Sequence, residues 1–171
     1  KRASFKFYAA CFILLLGFDM LASSASLLAL GAAVPLICSG YVCLILRHWD
    51  IDKVKKPAAA FAVSALSFCA LLWIGISFIR FYAGSFEYEE ISRFFAKDPT
   101  ADALPLAGVL MVISALMFMM AVVPFHTWFI SFISTAVLPV CGFITLIPPL
   151  IYFCALINLV KGGFEPLGDF I

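Results

Sequence analysis

Two side chains in this sequence stand where a proton could be taken up inside an apolar stretch: Asp19 and His126. Asp19 is the only acid within the apolar part of the first four hydrophobic stretches, and a carboxylate at membrane depth is a functional candidate by default. It lies within one helical turn of Ser23, near the end of its stretch, where water alone would account for it. His126 belongs to the run Val123-Pro124-Phe125-His126-Thr127-Trp128. Imidazole titrates near neutral pH and can carry protons. Its plainer role is to hydrogen-bond backbone groups that Pro124 sets free, since proline removes a donor and clashes with the preceding turn.

Other candidates reduce to packing. Met111, Met117, Met119 and Met120 read as fillers within a span. Cys11, Cys38, Cys43, Cys69, Cys141 and Cys154 all lie in apolar runs with no C-x-x-C pair, so they read as small buried hydrophobes rather than disulfides or metal ligands. Arg80, at a span end, is expected to snorkel. A proton path needs ionisable groups near the midplane. No acid occurs between Asp19 and Asp50 or between Asp102 and Glu165, and no lysine between Lys56 and Lys97 or between Lys97 and Lys161.

The elements that must position these residues are membrane helices. Of 171 residues 65% are hydrophobic and 12% charged, against about half and a quarter in a soluble domain. A net charge of +1 carries no nucleic-acid signature. Five stretches are expected to be long enough to cross a hydrocarbon core, which takes about 20 helical residues. They cover about 7–22, 27–46, 58–81, 104–132 and 137–159, in one membrane domain, with Pro57 expected to open the third. The fourth is expected to break at Pro124 and the fifth at Pro148-Pro149, and two interrupted helices in succession are a transporter-like signal. Between the third and fourth, residues 85–97 alternate Phe86, Ile91, Phe94 and Phe95 with Glu87, Glu89, Glu90 and Arg93. That pattern predicts a short helix on the membrane surface or against a neighbouring protein. Lys1, Arg2, Lys6, Arg47, Lys53, Lys55 and Lys56 fall on one side, which places the N-terminus in the matrix or cytoplasm.

The run Phe118-x5-Pro124-Phe125-His126-x-Trp128, then Leu138-Pro139-Val140-x2-Phe143 and Pro148, resembles the antiporter-like subunits of respiratory complex I, the N-type member above all. Earlier segments follow the same spacing, among them Leu21-Ala22-Ser23, Tyr41-Val42 and Gly84-Ser85-Phe86. The resemblance implies an all-α fold matching one five-helix repeat of a proton-translocating transporter. It also implies that Pro124, Phe125, His126, Trp128, Pro139, Pro148 and Pro149 shape its broken helices. The family's charged relay positions fall at Val34, Ala60, Met119 and Pro149, none of which is charged here.

The expectation is therefore a reduced, mainly structural subunit in the membrane arm of NADH:ubiquinone oxidoreductase. Its partners would be other arm subunits and phospholipids. FMN, iron–sulfur clusters and ubiquinone would belong to the rest of the complex, with no cofactor, metal or catalytic residue in this chain. The mitochondrial inner membrane is the preferred location and the bacterial plasma membrane the alternative. Two other readings are an active proton or cation conductor using Asp19, His126 and partner residues, and an unrelated small transporter or scaffold.

Overall fold

A computed structural model describes residues 2–46, 52–97, 103–122, 126, 128–130 and 138–167. Among these are six α-helices: α1 (Arg2–Ala22), α2 (Leu27–Leu46), α3 (Asp52–Ala83), α4 (Tyr88–Lys97), α5 (Ala103–Met119) and α6 (Leu138–Gly163), followed by a 3-10 turn at Glu165–Leu167. Three are long and apolar enough to cross a membrane, over Leu27–Leu44, Ala59–Ala83 and Leu146–Gly163. Phe7–Ala22 and Ala103–Met119 are shorter apolar helices.

Helix α2 is the centre of the bundle. Leu27, Leu30, Val34, Ile37, Cys38 and Tyr41 recur every three or four residues and are all buried, the spacing of one helix face. Helix α1 lies against one side of α2 and α3 against another, while α5 pairs with α3. Glycines set the close approaches. A Cβ built on Gly17 would meet Ile37 Cγ1 at 2.6 Å, and one on Gly40 would meet Leu14 Cγ at 2.7 Å. Small residues let helix backbones come together where lipid offers no hydrophobic drive to pair them.

One end of the bundle is tied by its loops. Ser26 caps α2, its hydroxyl accepting from the Ala29 amide at 3.3 Å. The Leu27 amide donates to the Phe86 carbonyl at 2.9 Å and the Tyr88 amide to the Ala25 carbonyl at 3.4 Å. The first turns of α2 and α4 thus satisfy each other's loose donors across the antiparallel Ser26–Glu87 bridge. Gly84, at φ +76°, ends α3 in the left-handed region that glycine enters freely.

Three expectations need correction. Helix α3 starts at Asp52, five residues before Pro57, because the polar run DKVKK is itself helix-forming and extends the apolar stretch past its edge. Helix α6 runs unbroken through Pro148-Pro149. Each proline removes one donor, and the bonds before and after hold the helix. The fourth stretch does interrupt, but at Met119, five residues ahead of Pro124. Its end is a backbone motif rather than the proline itself, as described below. Helix α4 lies within the expected 85–97 stretch, and its apolar side, Tyr88, Ile91 and Phe95, is buried against the end of α6 and the turn after it. The Phe95 and Phe164 rings meet edge to face at 6.0 Å.

Candidate functional site

The interruption after α5 is built from ordinary residues. The Val122 amide reaches the Met117 carbonyl at 3.2 Å and the Ala121 amide the Phe118 carbonyl at 3.0 Å. This pair of bonds is the Schellman arrangement that closes many helices. Its left-handed residue is Ala121, at φ 55°, where glycine is the usual choice. The Phe118 carbonyl accepts a second bond, 3.0 Å from the indole Nε1 of Trp128. The Trp128 ring then lies between two helices, 5.1 Å from Phe61 on α3 and 5.5 Å from Phe118 on α5. Phe118 stacks in turn on Phe68 at 3.9 Å. Trp128 is thus tied to the end of α5 by one hydrogen bond and held among rings from α3 and α5.

His126 contributes differently from expectation. It is its main-chain carbonyl that accepts, from the Phe129 and Ile130 amides at 3.1 and 3.3 Å. The imidazole Nδ1 is buried with no hydrogen-bond partner among the described residues. Pro124 and Phe125 lie outside the described residues, as do the side-chain surroundings of Pro139, which falls in the first turn of α6 where no amide donor is needed. Pro148 is buried and Pro149 half-buried within α6.

Asp19 is exposed on α1 and is not drawn into the core. Its carbonyl, rather than its carboxylate, is engaged, accepting from the Ser23 amide and hydroxyl at 3.0 and 2.8 Å. Of the positions expected to correspond to the family's relay, Val34 and Met119 are buried in the core and Ala60 is exposed. Arg80 does not simply extend into solvent: its guanidinium sits 4.3 Å over the Phe86 ring, beside a cleft of about 400 Å³ lined by Trp73, Ser77, Phe81 and Gly84. Glu89 and Arg93 pair at 3.6 Å on the exposed side of α4, where such a pair adds little.

What sequence reading missed is a convergence of sulfur. Cys38 of α2 stands with its Sγ 3.9 Å from the Met119 Sδ of α5 and 3.9 Å from the Cys69 Sγ of α3. Tyr152 of α6 belongs to the same core and is completely buried, its hydroxyl without a hydrogen-bond partner among the described residues. The cysteines do not behave alike: Cys38 is buried, Cys69 half-buried, and Cys43 and Cys154 are exposed, which corrects the uniform reading as buried hydrophobes. No spacing rule could have joined Cys38 to partners 31 and 81 residues away. Among the described residues, no three His, Cys, Asp or Glu side chains are grouped to hold a metal ion.

The family model described as NADH:quinone oxidoreductase/Mrp antiporter, TM, matches residues 22–161. NADH-quinone oxidoreductase subunit N of Paramagnetospirillum magneticum is 27% identical over 158 residues, 89% of this chain and 32% of the relative. The protein of the same name from Francisella tularensis is 26% identical over 166 residues, 95% of this chain and 34% of the relative. That from Gluconacetobacter diazotrophicus is 30% identical over 152 residues, 87% and 32%. The chain thus spans about a third of the length of these curated relatives.

Proposed function

Because the chain belongs to the NADH:quinone oxidoreductase/Mrp antiporter transmembrane family, we propose that it acts as an N-type, antiporter-like component of the membrane arm of an NADH:quinone oxidoreductase, holding helices in place rather than moving protons. The membrane part of this reading rests on α2, α3 and α6, supported by the shorter apolar helices at Phe7–Ala22 and Ala103–Met119. The mechanical part rests on one observation: Val34 and Met119, at two of the expected relay positions, are packed into an apolar and sulfur-lined core. Neither side chain can exchange a proton, and a relay requires groups that can. The neighbours would be other membrane-arm subunits and phospholipids. The bacterial relatives favour a plasma membrane over the mitochondrial inner membrane, with the basic N-terminal side in the cytoplasm.

A second reading, a conducting subunit, draws on the buried and unpartnered His126 Nδ1. Native-gel separation of solubilised membranes, probed for this chain and stained for NADH oxidation, tests the assignment. Co-migration with the NADH-oxidising band is expected, and migration apart from it would remove the membrane-arm reading. In the assembled complex, Asp19→Asn and His126→Ala are expected to leave the proton-to-electron ratio unchanged. A lower ratio at full assembly would favour conduction.

A further inference from the structure

We propose that Cys38, Cys69 and Met119 form a binding site for a soft monovalent metal ion, copper(I) or its analogue silver(I), between α2, α3 and α5. The proposal stands on the geometry of the three sulfurs and does not depend on the membrane-arm reading. An ion placed at a trigonal angle between two sulfurs 3.9 Å apart lies about 2.3 Å from each, the length of a metal–thiolate bond. Cys38 shares that separation with both of its neighbours, so an ion bound between Cys38 and one of them would take the third sulfur once that side chain rotates toward it.

Ligand type decides which ion. Two thiols and a thioether are soft donors, and that set selects copper(I) over the harder divalent ions. Zinc would want four ligands, with nitrogen or thiolate prominent among them, and no such group of His, Cys, Asp or Glu is present among the described residues. Charge points the same way. One or two turns away on the same three helices stand Val34, Ala65, Val112 and Leu116, all buried and apolar, and a net charge in such a core is costly. A monovalent ion that displaces one thiol proton to the outside forms one metal–sulfur bond with a thiolate. The second thiol and the thioether then coordinate as neutral donors, and the site carries no net charge. No electron is transferred in this step.

A second observation is an unpartnered polar group in the same buried core. The Tyr152 hydroxyl is completely buried and has no hydrogen-bond partner among the described residues. A phenol O–H beside a metal-bound thiolate has an acceptor to donate to, which is how outer groups tune ligands. The half-buried Cys69 gives the ion its approach from the bundle face.

The test uses the full chain in phospholipid nanodiscs, reduced and anaerobic, titrated with copper(I) against a chromogenic copper(I) chelator. One ion per chain is expected, with an ultraviolet thiolate-to-copper band and sulfur-only scattering at about 2.3 Å in X-ray absorption. Met119→Leu preserves volume and should weaken binding about tenfold or more, and Tyr152→Phe about tenfold. The Cys38→Ala/Cys69→Ala double variant should lose the band, with circular dichroism confirming its helices. The proposal is overturned if the wild-type chain retains no copper(I), if zinc(II) binds more tightly, or if the double variant binds as well as wild type. That last result would assign the ion to the exposed Cys43 or Cys154.

Discussion

Gly75 and Gly108 face each other where α3 and α5 cross, so closely that a Cβ on either would lie 2.8 Å from the other's carbonyl oxygen. The obstructing atoms are backbone, which cannot rotate aside. Gly108→Ala is therefore expected to part the two helices and cost about 1–3 kcal/mol, the usual range for overpacking. Gly84→Ala serves as a contrast, since nothing lies within 4 Å of a Cβ there and only its φ of +76° opposes the change. Thermal unfolding in detergent micelles should show Gly108→Ala as the larger loss. Equal losses would mean that the crossing tolerates a wider separation.

Ala121 occupies the left-handed position that closes α5. A Cβ in that conformation costs about 1–2 kcal/mol per residue. Ala121→Gly should remove most of it, offset by glycine's greater freedom in the unfolded chain. A net gain of about 0.5–1 kcal/mol is expected, read as a raised midpoint in the same unfolding assay. Ala121→Val should lower the midpoint, because β-branching makes positive φ worse. A glycine variant no more stable than wild type would argue that the turn is not formed.

Trp128→Phe keeps a ring between Phe61 and Phe118 but deletes the indole donor to the Phe118 carbonyl. That carbonyl keeps its bond from Ala121, so the loss should be near the net worth of one hydrogen bond, about 0.5–1.5 kcal/mol. Hydrogen exchange should speed up at the Phe129 and Ile130 amides, which depend on the His126 carbonyl being held in place. Unchanged exchange would separate Trp128 from the ordering of this segment.

Burial pushes the Tyr88 phenol above its usual 10.0, with the nearby Ser24 hydroxyl drawing it part of the way back. A raised folded-state value means that the fold favours the neutral phenol. The stability this contributes is complete below pH 10 and is lost as pH rises through the higher folded value. Docking of α4 on α6 should loosen above that pH, and Tyr88→Phe should flatten the dependence. Proteolysis at the exposed Glu89–Arg93 side of α4, followed from pH 8 to 11, would read it out. The same alkaline loss in the Phe variant would assign the effect to another group.

Much of the organisation could be read locally, because it depends on residues close in sequence. Hydrophobic runs are long or short whatever surrounds them, so α1, α2 and the apolar part of α3 were legible. So was the membrane class, and the Pro-Phe-His-x-Trp run that leads to the family. The lack of charge at Val34, Ala60, Met119 and Pro149 was equally visible, since it concerns residue type alone.

Tertiary structure decided whatever depends on atoms distant in the chain. The interruption after α5 is fixed at Met119 by a turn around Ala121 and an indole bond from Trp128, which no proline rule contains. The apolar face of α4 was evident, but only the position of α6 supplies the surface that covers it. Above all, Cys38, Cys69 and Met119 are ordinary members of three separate apolar runs. They become a cluster because helix packing brings one face of each run to the same point, and a 3.6-residue period carries no information about which point that will be.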